Sequence, residues 1–176
     1  MLRLSLIIIA LNFSSSAYCQ NYVYKGDKQF IATQSWGFKL TNYNWTSNDL
    51  EVCVAKTKTG GYLMLSIEVP FDETISGNIF MILETGKTIT LITRVVSDHV
   101  DSKSQVLYVI TQAQYQQLKT ASISKIRISL KNPKGGIGGK AGNYTATNKL
   151  EEYKFGDEVN SWDTAKEITE LDDREE

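Results

Sequence analysis

Gly60-Gly61-Tyr62-Leu63-Met64-Leu65-Ser66-Ile67-Glu68-Val69 decides the fold class of this 176-residue chain. Leu63, Leu65, Ile67 and Val69 alternate with Tyr62, Met64, Ser66 and Glu68, the period of two that puts one face of a strand against a core. The run from Leu50 to Lys58 precedes the glycine pair, so the two segments read as a hairpin. A second hairpin turns at Thr85-Gly86 and joins Asn78–Glu84 to Lys87–Val96. Ile79, Phe80, Met81, Ile82 and Leu83 are apolar at every position, which places the strands of this hairpin at the centre of a sheet.

Outward from these hairpins the pattern continues. Ser97 to Ser104 is polar and reads as a loop, and Gln105 to Ile110 as a strand. Thr111 with Gln114 three residues on is a capping-box signature, and Gln112 to Thr120 carries helix formers with Tyr115 and Leu118 spaced to face a core. Alternation returns from Ile123 to Lys131: Ile126, Ile128 and Leu130 face one way, Lys125, Arg127, Ser129 and Lys131 the other. Gln29 to Ser35 is a strand candidate. Asn132 to Gly142, with five glycines and a proline, reads as a mobile loop. Thr164 with Glu167 marks a short acidic helix up to Leu171.

Many short strands with one inserted helix predict a mainly β fold, an antiparallel β-sandwich or partly closed barrel. An α+β sheet with the helix on one face is the alternative. The expected organisation is a signal peptide over 1–19, one β-rich domain over 20–156 and an acidic tail over 157–176.

The N-terminus has the three parts of an export signal: Arg3, an apolar run from Leu4 to Phe13, and small residues Ser14 to Ala17. Its apolar run is too short to span a bilayer, and no later segment is longer. Cleavage is expected after Cys19 with Ala17 at the −3 position, giving a periplasmic or secreted protein. Bulky Tyr18 weighs against Cys19 becoming the acylated first residue of a lipoprotein. Cys53 is then the only thiol left, so no internal disulfide forms and the fold must stand on its core. Its place between Val52 and Val54 marks it as a buried, inert thiol.

Charge is unevenly spread. From Gln20 to Gly156 there are 16 Lys and Arg against 11 Asp and Glu; from Asp157 onward there are 2 against 9. A basic-leaning body carries an acidic tail.

Catalytic constellations are sparse. The single histidine, His99, would have to serve any histidine-based triad, and no G-x-S-x-G elbow accompanies it. One His and one mature Cys cannot make a zinc set. The oxygen-rich stretch Ser97–Ser102 lacks the glycine and terminal glutamate of the usual calcium loops. Lys134 to Gly142 resembles a phosphate loop only superficially, since Lys134 and Ala141 stand where that motif needs Gly and Ser or Thr. No cofactor is expected. A glycosidase needs only two carboxylates, and Glu68, Asp72, Glu73 or Glu84 are the candidates. A small carboxylate-type glycan hydrolase is therefore the enzymatic alternative.

Two features favour binding. Tyr22, Tyr24, Phe30, Trp36, Phe38, Tyr43 and Trp45 crowd into 24 residues, and exposed rings of this kind hold sugars or proteins. Trp36, Tyr43 and Trp45 are the candidate platform. The stripe Lys125, Arg127 and Lys131 is a candidate for an anionic ligand or for the acidic tail itself. Aromatic and basic residues are not interleaved and the net charge is −1, so nucleic acid is not expected as a partner. The sequence thus predicts a non-catalytic exported domain that binds an envelope or secreted protein, or a glycan; in an alternative, the acidic tail masks the binding surface.

Overall fold

The computed structural model describes residues 21–41, 49–69, 73–100, 102–132, 141–149 and 161–174. Within them the chain forms eleven strands and two short helices: β1 Asn21–Lys25, β2 Lys28–Ala32, β3 Trp36–Leu40, β4 Asp49–Thr57, β5 Gly60–Glu68, β6 Thr74–Leu83, β7 Thr88–Leu91, β8 Arg94–Val100, β9 Lys103–Thr111, α1 Gln112–Thr120, β10 Ile123–Lys131, β11 Gly142–Thr147 and α2 Thr164–Glu170, with a 3-10 turn at Leu171–Asp173.

The strands run in the order β7-β6-β10-β11-β3-β4-β5-β9-β8, every pair antiparallel, and curl into a nearly closed barrel. Inward residues of each strand fill it: Trp36, Phe38, Val52, Leu65, Met81, Tyr108 and Ile126 are all completely buried. The gap between the sheet ends is bridged by side chains instead of a ladder. Along residues 73–77, Ser104 Oγ accepts from the Ile75 amide (2.9 Å) and Tyr108 donates to the Gly77 carbonyl (2.6 Å). Arg94 donates to the Ile75 carbonyl (3.3 Å), and His99 Nδ1 lies 3.3 Å from the Glu73 carbonyl. Backbone groups that would otherwise be stranded at a buried edge are thereby satisfied.

Both hairpins form, with adjusted bounds, but the second lies at one end of the strand order, β7 being the last strand, and not at the centre of the sheet. Thr57 pairs with Gly60, so Lys58-Thr59 is the turn and the glycines already belong to β5. A Cβ on Gly61 would sit 2.5 Å from the Ala55 carbonyl oxygen, which is why a glycine stands there. The expected single strand Lys87–Val96 is instead two, β7 and β8, because the chain leaves β6 after Leu91 and crosses to β9. Ser97 to Val100, expected as loop, extends β8: an edge strand with an exposed face tolerates the polar run that hid it. α1 forms with the predicted box, Thr111 Oγ1 accepting from the Gln114 amide and Gln114 Oε1 from the Thr111 amide. The cap of α2 is Asp163, not Thr164, whose hydroxyl is buried and accepts from the Ile123 amide. Tyr115, Leu118 and Ile168 of the two helices join the main core beside the β4–β5 turn.

A second, smaller core lies outside the barrel. Val23 and Ala32 of the β1–β2 hairpin cover Cys53, Ala55 and Leu107, with Phe30, Tyr62 and Met64 at its margin.

Candidate ligand cleft

The β1–β2 hairpin turns at Gly26-Asp27, where Gly26 takes φ +57°, and pairs Lys25 with Lys28. Alternation sends Val23 down into the small core and leaves Tyr22 and Tyr24 outward. The hairpin leans over β4 and β5, and an open cleft of about 900 Å³ runs between it and the β4–β5 turn. Tyr22, Phe30 and Tyr62 supply its rings and Lys25, Lys28 and Lys58 its charge; Asp27 is the one acid among the residues that line it.

The cleft floor is ordered. The Phe30 and Tyr62 rings meet edge to face, centroids 5.1 Å apart at 72°. Lys25 Nζ donates to the Tyr62 hydroxyl at 3.1 Å and stands 5.2 Å from the centre of that ring. A cation held against an aromatic face keeps its remaining donors for a ligand while its stem is fixed. None of the three lysines forms an ion pair with a carboxylate among the described residues. Donors, positive charge and ring faces suit the binding of an anionic, ring-bearing or peptide-like group.

The sequence-derived candidates distribute differently. Trp36 is completely buried inside the barrel, so it is a core residue and not part of a surface platform. Burial alternates along β3, which puts Trp36, Phe38 and Leu40 on the inward side. Tyr43 and Trp45 lie outside the described residues. Lys125, Arg127 and Lys131 are all exposed on the outward face of β10. The cleft lysines and tyrosines are thus a different set, brought together by two turns more than 30 residues apart in sequence. Their sequence signals were Tyr22 and Phe30 within the aromatic cluster, and lysines beside two turns, Lys25 and Lys28 around Gly26-Asp27 and Lys58 next to Thr59.

The acidic C-terminal segment docks in its described part. Asp172 accepts from Tyr115 at 3.1 Å and pairs with Lys119 and, at 3.8 Å, with Lys56, while Arg174 donates to the Ala32 carbonyl at 3.1 Å. Lys125, Arg127 and Lys131 are not among its partners in the described residues. Burial first, then the Asp172 carboxylate, push the Tyr115 phenol well above the usual range.

Of the proposed carboxylates, Asp72 is outside the described residues. Glu73 and Glu84 flank the two ends of the ten-residue β6, which at ~3.3 Å per residue separates them by ~30 Å, far beyond a glycosidase pair. Glu68 closes β5 at the same end as Glu73. Glu73 itself is completely buried with neither carboxylate oxygen hydrogen-bonded. No group of three or more His, Cys, Asp or Glu placed to hold a metal occurs among the described residues. Cys53 is buried, and loss of solvent pushes its thiol up to about 11, so it is not a thiolate at neutral pH. No helix among the described residues is long and apolar enough to cross a membrane.

Comparison with protein-family models, with curated proteins and with solved structures finds no match to this chain.

Proposed function

We propose that this chain is an exported, non-catalytic binding domain that holds an anionic stretch of a protein or glycan partner in the cleft between the β1–β2 hairpin and the β4–β5 turn. The observation that carries the reading is that Lys25, Lys28 and Lys58 line one open cleft with the Phe30–Tyr62 ring pair, Lys25 standing against the Tyr62 ring. Export rests on the signal-like residues 1–19. N-terminal aromatics remain central to the proposal, but as Tyr22 and Phe30 with Tyr62, in place of Trp36. The test is retention of native partners on the tagged protein beginning at Gln20. The triple substitution of Lys25, Lys28 and Lys58 by Gln should reduce retention at least tenfold and remove its salt sensitivity, with an unchanged melting temperature. Undiminished retention by the folded triple variant would overturn the reading.

A second reading makes the acidic segment a regulator of that cleft. Asp172 stands on Lys56, two residues from Lys58, and its carboxylate occupies a lysine–lysine–tyrosine pocket as a bound anion would. Asp172→Asn should then tighten partner binding without changing which partner is retained. Equal affinity of the two proteins would dismiss this regulation.

A further inference from the structure

A second surface, on the other side of the barrel from the hairpin, has the parts of a ligand site. Arg127 sits outward on β10, a strand paired on both sides. Directly across from it on β6 is Phe80, a residue 40% exposed, and on β11 is Thr145. Asn78, Ser129 and Asn143 join Arg127 and Phe80 in lining a depression of about 180 Å³. None of these neighbours carries charge, and Arg127 has no ion pair or hydrogen bond among the described residues.

The sheet is specifically deformed here. Arg127 pairs with Phe80, yet Ser129, two residues on, pairs with Ser76, so β6 carries two extra residues at Gly77-Asn78. Gly77 takes φ +73°, a backbone state that strongly favours glycine, and nothing lies within 4 Å of where its Cβ would be. The bulge is tied from inside by the buried Tyr108 hydroxyl, 2.6 Å from the Gly77 carbonyl. Bulges of this kind re-aim side chains next to functional sites, and this one leaves Asn78 exposed beside the arginine. Ser129 donates to Asn143 Oδ1 at 2.6 Å, which fixes that amide and keeps its NH₂ for another partner.

We propose that this patch binds the acidic pyranose units of a polysaccharide: Arg127 takes the carboxylate, the Phe80 ring lies under the sugar ring, and Asn78 and Asn143 hold its hydroxyls. A guanidinium matches a carboxylate with two parallel hydrogen bonds, and an aromatic face packs against the apolar face of a sugar. Lys125, two residues before Arg127, and Lys131, four after, continue the positive line along β10 at ~7 Å and ~13 Å. The site shares no residue with the hairpin cleft and does not depend on it.

The test is an amide NMR titration of the protein from Gln20 with tetragalacturonate, with maltotetraose as neutral counterpart and acetate as bare carboxylate. Tetragalacturonate should perturb the amides of Phe80, Arg127 and Asn143, saturating at least tenfold below either control. Arg127→Gln should abolish the effect and Phe80→Ala weaken it at least fivefold, both with wild-type melting temperatures. Perturbation centred on Lys25 and Tyr62 instead would overturn this site while supporting the cleft. Equal response to acetate, equal response to maltotetraose, or no perturbation at the patch would also overturn it.

Discussion

The barrel wall has two outward faces that the same alternation builds, and they differ in what they carry. On β4, β5 and β9 the outward residues are Cys53, Ala55, Met64 and Leu107, and the β1–β2 hairpin covers them. On β10 and β11 they are Lys125, Arg127, Ser129, Thr145 and Thr147, and none of these is buried. Val52 to Ala55 is a continuous buried run, whereas β10 is buried strictly at every second or third position. An unbroken apolar run marks a strand with cover on both sides, and a strict alternation marks one that faces solvent.

Removing the reference core shared by both faces should have the largest effect. Trp36→Ala is expected to cost about 3–5 kcal/mol in urea denaturation, since it leaves a large cavity in the completely buried interior. A cost below ~1 kcal/mol would place Trp36 outside the core. On the covered face, Leu107→Ala should cost about 2–4 kcal/mol. A value near zero would mean that the hairpin is not a true second core.

The same face predicts a pH dependence. Burial raises the Cys53 thiol to about 11, so the unfolded chain loses this proton first, at about pH 9. Its contribution is whole below that pH and is lost as pH climbs towards 11, a fall of about 2 kcal/mol. Stability curves of wild type and Cys53→Ala should therefore converge between pH 9 and 11; curves that stay parallel would show an exposed thiol.

On the bare face the backbone matters more than the side chains. Gly77→Ala forces a β-carbon into φ +73° and should lower stability by about 1–2 kcal/mol. Thermal melts of Arg127→Ala and Thr145→Ala should stay within about 0.5 kcal/mol of wild type. A large loss in either would mean that this face is covered too.

Much of the architecture was legible in local signals. The Leu63–Val69 alternation, the capping box at Thr111 and the strand Ile123–Lys131 each appear where their periods put them. β1, β3 and β11 were not, because Tyr22, Trp36 and Tyr144 sit in short segments of five or six residues, too brief for a period to stand out among Asn, Thr and Gly. The candidate sites were less legible still. The aromatic cluster was visible, but nothing local separates Trp36, which fills the barrel, from Tyr22, which lines a cleft. Arg127 was visible as one of a basic row; its pairing with Phe80 and the bulge at Gly77 depends on strand register.

By itself the sequence determined a mainly β fold, the inward and outward sides of its long strands and the start of its helix, because period and capping are read within a dozen residues. Tertiary structure alone decided that the sheet curls until Ser104, Arg94 and Tyr108 bridge its ends, and that lysines from two distant turns line one cleft with Tyr62. Those contacts join residues far apart along the chain, and their geometry comes from strand order and twist, which no short window of residues contains.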